Sequence, residues 1–293
     1  MERDGVLLLN KPKGLTSARV VEKIKRKLRA KKVGHTGTLD PIATGVLILL
    51  IGKATRFSWL FTDMDKTYLV KAVMGIRTDT YDIEGEVLEE KPVRVSCEEV
   101  HKKLASFEGD VLQSPPPFSA KRVKGKRAYK LARKGIEPEL KPVKVRVFNI
   151  ELVSCELPEF EVRMRVSSGT YVRSLIHELG KELSCGAVVR ELVRESVGPF
   201  SVDKTHTLDM ILSSEDPWSF VLPIEEAFTF LPKVSVDYFN GKKVLNGNAV
   251  LLKEVVPEGY VTIYIDDTFI GVGKVSSGVL KPERLLLPEG IQT

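Results

Sequence analysis

Residues 34–47 read Gly-His-Thr-Gly-Thr-Leu-Asp-Pro-Ile-Ala-Thr-Gly-Val-Leu, and this stretch decides the fold. Glycine and proline favour turns, and threonine hydroxyls can bond a loop backbone, so an irregular loop is predicted. The apolar residues 46–51 that follow predict a buried strand. Pro41 disfavours the helical conformation at Asp40 and thereby limits where that carboxylate points. The residues alone leave open a structural Asp-Pro turn, the commoner case, and an acid held in place for chemistry.

Size and composition are those of an ordinary globular protein. The chain has 293 residues, of which 43% are hydrophobic and 29% are charged, and two domains are expected for this length. The longest apolar run, residues 46–51, is too short to cross a membrane. The start of the chain, Met-Glu-Arg-Asp, has no export-signal pattern. We therefore expect a cytoplasmic protein without a membrane partner.

The three cysteines, Cys97, Cys155 and Cys185, lie far apart in the sequence. They show no Cys-x-x-Cys spacing, so no zinc site is predicted, and they give no support for a disulfide framework. A reducing compartment fits this pattern.

Positive charge is concentrated in two segments of the chain. The net charge is +6; residues 19–32 contain eight Lys or Arg and one acid, and residues 113–141 contain nine Lys or Arg and two acids. The rest of the chain is therefore net acidic. This segregation indicates a polyanionic partner, with nucleic acid as the first choice. A solvated charged helix would explain the first segment equally well, but it explains both segments poorly.

Hydrophobic periodicity gives a coarse order of elements. The predicted strands are 5–9, 46–51, 67–74 and 160–166; the predicted helices are 17–28, 96–107, 128–134, 172–179 and 220–228; and short strands such as 260–265 and 269–275 follow Leu231-Pro232.

The second basic segment is predicted to leave the core. Residues 115–117 are three prolines, and dense positive charge follows them. Phe118 and Tyr129, interleaved with Lys and Arg, suit nucleic-acid contact, because bases stack on aromatic rings while cations hold phosphates. A disordered surface loop is the alternative.

Arg173 is unusual because it lies in the first turn of a predicted helix. A cation there opposes the helix dipole and normally prefers the other end. The position hints at a specific anionic partner, although an exposed arginine is the commoner explanation.

Taken in order along the chain, these motifs resemble the TruB-type tRNA pseudouridine synthases. The motifs that carry the resemblance are Asn10-Lys11-Pro12-Lys13-Gly14 with Thr16-Ser17, residues 34–45, Tyr68, Arg77-Thr78-Asp79, residues 115–120 with Tyr129 and Ala132-Arg133, and residues 169–173. The tail with Lys281-Pro282-Glu283-Arg284 is similar to a small PUA RNA-binding domain.

The resemblance implies an α+β fold with a mixed, mainly antiparallel central sheet flanked by helices, the pseudouridine synthase fold. It implies a catalytic domain at residues 1–230, with a basic RNA-binding insertion at 113–141. A small all-β, PUA-like RNA-binding domain would occupy residues 233–293.

The activity implied is conversion of the uridine at position 55, in the T-arm of tRNA, to pseudouridine. The N1–C1′ bond breaks, the base turns, and C5 joins C1′. The change is redox-neutral and loses no atoms, so we expect no cofactor and no metal. By resemblance, Asp40 is the reacting carboxylate, Arg173 is its ion-pair partner and Tyr68 stacks on the target base. A neighbouring cation favours the ionised form of a carboxylate even when it is desolvated.

The resemblance assigns roles to further residues. His35 would fill the gap left by the extruded nucleotide, Tyr171 and Leu192 would line the uracil pocket, and Lys11 would support the loop. The other residues expected to bind RNA are Thr38, Lys121, Arg122, Lys124, Lys126, Arg127, Tyr129, Lys130 and Arg133. The expected partner is the T-stem–loop of tRNA, bound by a monomer that needs no protein partner.

Three other functions are compatible with parts of the sequence. A non-catalytic tRNA chaperone would need the basic segments but not Asp40. A guide-RNA-dependent pseudouridine synthase would share the Asp motif, but that type lacks the basic excursion and carries a longer tail domain. A base-excising glycosidase fits poorly, because such enzymes generally use two acids and only Asp40 has a catalytic context.

Overall fold

The structure is a computed structural model that describes residues 3–119, 121–123, 125–132, 134–136 and 138–286. At Arg122, Val123, Lys126, Arg127 and Lys130 it describes the backbone alone. Within these ranges, none of the helices has the length and apolar character needed to cross a membrane.

The strands are β1 (Gly5–Lys11), β2 (Val33–His35), β3 (Ala43–Ile51), β4 (Lys66–Met74), β5 (Ile76–Thr78), β6 (Val87–Glu90), β7 (Gly109–Gln113), β8 (Arg122–Val123), β9 (Lys126–Arg127), β10 (Val143–Glu156), β11 (Glu159–Val166), β12 (Ala187–Val197), β13 (Phe200–Ser201), β14 (His206–Thr207), β15 (Val221–Leu222), β16 (Lys233–Val236), β17 (Val250–Leu251), β18 (Gly259–Ile265), β19 (Thr268–Ser276) and β20 (Val279–Leu285). The α-helices are α1 (Ser17–Lys27), α2 (Ser58–Thr62), α3 (Cys97–Ala105), α4 (Ala128–Ala132), α5 (Val172–Glu182), α6 (Leu208–Ser213) and α7 (Tyr238–Leu245). Short 3-10 helices cover Gly52–Phe57, Val202–Lys204, Pro217–Phe220 and Glu226–Phe228.

A large mixed sheet forms the body of the protein. Its main strand order is β14-β1-β3-β12-β4-β11-β10-β7, with β2, β13 and β15 paired alongside. The β1–β14 and β3–β12 pairs are parallel, and the remaining described pairs of this sheet are antiparallel. The expected α+β architecture with a mixed, mainly antiparallel central sheet is therefore confirmed.

Helices α1, α3 and α5 cover one face of this sheet. Each carries an apolar stripe that joins a single core cluster with the inward residues of β3, β4 and β12. Helix α3 begins with a capping box, in which Ser96 and Glu99 satisfy each other's backbone N–H groups. Sequence periodicity located these helices because the same stripe that defines the period is the one buried.

The helix predicted over residues 220–228 is wrong. Two 3-10 helices, Pro217–Phe220 and Glu226–Phe228, flank strand β15, which pairs with β1. Pro223 explains the difference, because proline has no N–H to donate and disfavours helical dihedrals at the residue before it.

The last part of the chain forms a second sheet with the order β16-β18-β19-β20-β17. It encloses its own apolar cluster, to which helix α7 contributes Val244. The small β unit expected after residue 232 is present, together with one helix that the pattern did not indicate. Because the second sheet encloses a cluster of its own, we propose residues 230–233 as the boundary between two units, and a further cluster joins the two units through Val272 of β19.

Two of the cysteines correct the expectation that the chain has no disulfide. Cys97 at the start of α3 and Cys155 in β10 form a disulfide, with their Cα atoms 5.9 Å apart. Cys185 is buried and free. The pairing was invisible in the sequence because the two cysteines are 58 residues apart and only the packing of α3 on β10 brings them together. Cysteine usage therefore gives no argument for a reducing compartment.

Close approach of α5 and β12 depends on Gly180. A Cβ atom built on Gly180 would lie 2.0 Å from the backbone nitrogen of Ala187. No side chain at that helix position fits without moving the strand that carries part of the cavity described below.

We expect Gly180→Ala to lower the free energy of unfolding by roughly 1–3 kcal/mol, the usual cost of overpacking a core. Chemical denaturation of the variant and the wild type measures the difference. Lys181→Ala, at the exposed next position in α5, is the matched control and should change stability much less. Equal effects of the two substitutions would show that the helix–strand contact is not tight.

Candidate active site

Two buried side chains of the N-terminal segment, Ser17 and Lys11, hold the loop that carries Asp40 in place. The Ser17 hydroxyl donates to the Leu39 carbonyl at 3.1 Å and accepts from the Leu39 N–H at 2.9 Å. The Lys11 ammonium is fully buried and donates to the carbonyls of Pro12 (2.8 Å), Leu15 (2.6 Å) and Pro41 (3.4 Å). These bonds tie the backbone on both sides of Asp40 to the end of β1 and the start of α1.

Arg194 on β12 fixes the same loop from the other side. Its Nε donates to the Val46 carbonyl at 2.7 Å and its Nη2 to the Gly37 carbonyl at 3.1 Å. Gly45, at φ +100°, is paired directly with Arg194, and a Cβ there would lie 2.2 Å from the Arg194 carbonyl oxygen. Only glycine fits at that position, which explains one glycine of the motif.

Arg173, in the first turn of α5, is the central cation of the site. Its Nη2 lies 2.9 Å from a carboxylate oxygen of Asp40, and its Nη1 lies 3.2 Å from Asp82. The same guanidinium donates to the carbonyls of Thr80 (2.6 Å) and Phe118 (3.0 Å). The Arg173 side chain is 5% exposed, whereas that of Asp40 is 34% exposed. Arg173 is thus held rigidly, and Asp40 remains open to a substrate.

Asp82 belongs to this network as a buried carboxylate. Its second oxygen accepts from the Thr80 hydroxyl at 2.8 Å and from the Glu84 N–H at 3.2 Å. Burial raises the pKa of Asp82, while the Thr80 hydroxyl and the charge of Arg173 oppose that rise. Sequence patterning had singled out the neighbouring Arg77-Thr78-Asp79 and missed Asp82, because no periodicity marks a carboxylate in a turn.

Asp40 opens into a cavity of about 430 Å³. The residues that line it are Thr36, Gly37, Thr38, Leu39, Asp40, Thr62, Lys66, Tyr68, Ser167, Ser168, Gly169, Thr170, Tyr171, Val172, Arg173, Leu192 and Arg194. The cavity therefore brings together six of the residues predicted from the sequence, namely Thr38, Asp40, Tyr68, Tyr171, Arg173 and Leu192.

The sheet supplies the cavity with both apolar and charged side chains. Tyr68 and Leu192 are buried on neighbouring strands β4 and β12, and Arg194 stands directly opposite Tyr68 in the strand register. Tyr171 also lines the cavity, and its backbone N–H donates to Gln113 Oε1 at 2.8 Å. Burial raises the pKa of the Tyr171 hydroxyl, which keeps that side chain uncharged.

Other predicted residues lie outside this cavity. Lys11 is beneath the loop, and His35 is the last residue of β2, one residue before the lining begins. The basic insertion contains the β8–β9 hairpin and α4; within it, the Tyr129 N–H donates to the Ser119 carbonyl at 3.1 Å. Lys124 and Arg133 lie outside the described residues.

A larger concavity, of about 920 Å³, lies beside Ser174 and His177 of α5. Its charged side chains are already paired with opposite charges. The pairs are Arg77–Glu89, Lys91–Glu89, Lys103–Glu182, Lys181–Glu178 and Lys144–Asp110. We therefore place the site in the smaller cavity, where Asp40 is accessible.

Stability should depend on pH through Lys11. Burial lowers the pKa of Lys11 from 10.5 to about 8, and nearby Asp40 partly opposes this. Between these two values the unfolded chain binds more protons at Lys11 than the native state, so the free energy of unfolding rises with pH across that window. We expect the increase in the free energy of unfolding between about pH 8 and pH 10.5 to be smaller in Lys11→Met than in wild type, as measured by denaturant unfolding at both pH values.

Lys13→Met, at an exposed lysine of the same turn, is the control and should show the same increase as wild type. Identical pH dependence in Lys11→Met and wild type would contradict the assignment.

Family models match almost the whole chain. The model of the TruB family pseudouridylate synthase N-terminal domain matches residues 25–172. The tRNA pseudouridylate synthase B C-terminal domain matches residues 173–229, and a further TruB C-terminal model matches residues 232–286.

Curated relatives cover almost the whole chain. A tRNA pseudouridine synthase B of Aquifex aeolicus is 50% identical over 97% of this chain and 100% of its own length. A protein of the same name from Clostridium kluyveri is 40% identical over 92% of this chain and 95% of its own.

Solved structures share the fold. An H/ACA ribonucleoprotein bound to a substrate RNA containing 2′-deoxyuridine matches with a TM-score of 0.73 and 25% identity, over 98% of this chain and 86% of that one. A Cbf5-Nop10-Gar1 complex matches with the same TM-score and 27% identity, over 97% and 85% of the two chains. The expected pseudouridine synthase fold is thus confirmed, and the chain belongs to the TruB family of pseudouridylate synthases.

Proposed function

We propose that this protein converts the T-arm uridine at position 55 of tRNA to pseudouridine, after flipping it out of the stack, with the carboxylate of Asp40. The observation that carries the proposal is the 2.9 Å ion pair between Asp40 and the buried Arg173 at the wall of a cavity. The names of the relatives, tRNA pseudouridine synthase B, support tRNA as the substrate and isomerisation as the reaction.

The charge arrangement suits a reactive carboxylate. Arg173 holds the carboxylate of Asp40 in a 2.9 Å ion pair, and the bonds from Arg173 to Asp82, Thr80 and Phe118 fix the position of the guanidinium. Asp40 would act at the junction of sugar and base. The N1–C1′ bond breaks, C5 bonds to C1′, and the proton lost from C5 is balanced by one gained at N1.

The apolar part of the cavity suits a pyrimidine ring. Tyr68 and Leu192 offer a buried surface on which a ring can stack, and Tyr171 also lines the cavity. A uridine in a structured T-loop must leave its stack to reach them, at a cost of roughly a few kcal/mol. His35 lies just outside the cavity, and we assign it to the gap that the flipped nucleotide leaves.

Binding energy for flipping would come from the two basic segments. The outer face of α1 exposes Arg19, Lys25 and Arg26, and the exposed Arg29, Lys31 and Lys32 follow the helix. The insertion at 113–141 adds nine Lys or Arg. Contacts of such residues with phosphates release counterions, which makes binding favourable and salt-dependent.

The enzyme is proposed to work alone, as a monomer, without guide RNA. The solved structures that it matches include ribonucleoprotein assemblies, so a guide-dependent activity is the second candidate. The near-complete coverage of relatives named for tRNA favours the stand-alone reaction. A tRNA substrate also favours a cytoplasmic location, which we retain as part of the proposal.

Asp40→Asn should abolish the reaction while leaving RNA binding intact. A T-arm stem–loop transcript labelled with tritium at uridine C5 is incubated with the protein alone, and tritium release is measured. We expect release by wild type and a rate at least about 1,000-fold lower for the variant, with an unchanged dissociation constant. Asp209→Asn, on the exposed side of α6, is the control and should react like wild type.

Two outcomes of this assay would refute the proposal. RNA binding without tritium release by wild type, even with guide RNA, would indicate the chaperone function. Release that requires an added guide RNA would indicate the guide-dependent synthase.

Charge reversal in the insertion should weaken tRNA binding. We expect the triple variant Lys121→Glu, Lys126→Glu, Lys130→Glu to raise the dissociation constant and to flatten its dependence on salt, because each phosphate contact contributes roughly 0.7–0.9 to the logarithmic slope. Filter binding at several salt concentrations measures both quantities. Reversal of the exposed Lys53, Lys71 and Lys204, outside both basic segments, serves as the control with equal charge change. The same slope and affinity in both triple variants would remove the insertion from the binding surface.

A further inference from the structure

Two buried cations of the cavity take no part in the ion pairs around Arg173 and Asp40. Lys66, at the start of β4, is 7% exposed, and Arg194 is 2% exposed. Lys66 donates to the carbonyls of Thr62 (2.6 Å) and Met64 (2.5 Å), and Arg194 donates to two other carbonyls. Among the residues that the structure describes, no carboxylate oxygen lies within 4.0 Å of a side-chain nitrogen of either cation. Neither positive charge is therefore neutralised by a carboxylate in direct contact.

The lack of a carboxylate distinguishes them from Arg173. Arg173 contacts two carboxylates, Asp40 and Asp82, so that cluster carries no excess positive charge. Buried charges are costly unless they are paired. The carbonyls that Lys66 and Arg194 bind satisfy their donors but carry no negative charge, so an anion that enters or forms in the cavity would stabilise both cations further.

Both cations flank the surface proposed to hold the base. Lys66 and Tyr68 are two residues apart on β4, so their side chains point to the same face. Arg194 is paired with Tyr68 across the β4–β12 ladder, and Leu192 precedes it by two residues on β12. All four side chains line the same cavity. The two cations thus lie beside the proposed position of the uracil ring, on the sheet, whereas Asp40 lies on the loop.

The reaction creates an anion at that position. When the N1–C1′ bond breaks, its electron pair leaves with the base, and the uracil anion spreads the charge over N1, O2 and O4. Asp40 is itself negative and cannot stabilise this charge, and the charge of Arg173 is already shared by two carboxylates. Fixed charges aimed at a developing anion in a water-poor site are effective because they need no reorganisation during the reaction.

We propose that Lys66 and Arg194 stabilise the uracil anion formed when the glycosidic bond breaks, and hold it until C5 bonds to C1′. The inference rests on the proposed function. It assigns the two cations to the transition state and not to binding of the RNA backbone. A contact with the phosphate of the flipped nucleotide is the competing role, and it would show in affinity instead of rate.

The charge on Lys66 depends on its surroundings. Its pKa is lowered from 10.5 to about 8, chiefly by burial and next by the charge of Arg194, while Asp63 and Asp65 in the preceding loop partly oppose the shift. Asp65 is already paired with Arg165 at 2.8 Å. Across the cavity, Asp40, Arg173 and Tyr171 face the same space. Lys66 is therefore charged at neutral pH and loses its charge in mildly alkaline solution.

The test compares Lys66→Met and Lys66→Arg with wild type in single-turnover tritium release from the T-arm stem–loop. We expect the rate constant of Lys66→Met to fall by about 100-fold, as for loss of one donor to an oxyanion, with the dissociation constant changed less than twofold. Lys66→Arg should recover most of the rate. The wild-type rate should decline above about pH 8, whereas Lys66→Arg should keep its rate there, because arginine stays protonated.

Lys71→Met is the matched control, on an exposed position of the same strand, and it should react like wild type. A Lys66→Met enzyme with the wild-type rate would overturn the inference. Weakened binding with an unchanged rate would also overturn it and would indicate a phosphate contact.

If Lys66→Met does not fold, the test is the pH dependence of the rate above about pH 8 in wild type and Lys66→Arg. Identical pH dependence in the two enzymes would overturn the inference. Absence of tritium release by wild type would instead refute the proposed function.

Discussion

The site depends on one guanidinium. Arg173 lies between Asp40 and Asp82 and also donates to the carbonyls of Thr80 and Phe118. Three separate segments of the chain, around residues 40, 80–82 and 118, therefore converge on one side chain at the start of α5. Any error in the packing of α5 on the sheet would move the cation that orients Asp40. The close contact of Gly180 with β12 is part of the same constraint.

Buried cations that bind main-chain carbonyls are the second recurring feature. Lys11 and Arg194 hold the Asp40 loop from opposite sides, and Lys66 holds the end of α2. Carbonyl oxygens satisfy the donors without placing a negative charge beside the cation. Under the proposed mechanism, Lys66 and Arg194 would thereby be available to the anion that forms when the glycosidic bond breaks.

Much of the fold was predictable from the sequence, and the site was predictable in part. Apolar periodicity located β1, β4, β11, α1, α3 and α5, because each buries the stripe that defines its period. It failed over residues 220–228, where Pro223 breaks the pattern. The resemblance to the TruB family supplied the expected pairing of Asp40 with Arg173. Asp82, Lys66 and Arg194 were missed, because a polar residue in a strand or turn looks the same in sequence whether it faces solvent or a cavity.

The sequence by itself determined the local structure of the Asp40 loop and the position of the basic segments, since turn chemistry, strand period and charge are properties of near neighbours. Only the tertiary structure decided which side chains meet. The strand order β3-β12-β4 brings Arg194 against the Asp40 loop and opposite Tyr68. The packing of α3 on β10 joins Cys97 to Cys155. Periodicity indicates which face of an element is buried but not which element packs against it. The packing partner depends on contacts between residues that are distant in the sequence.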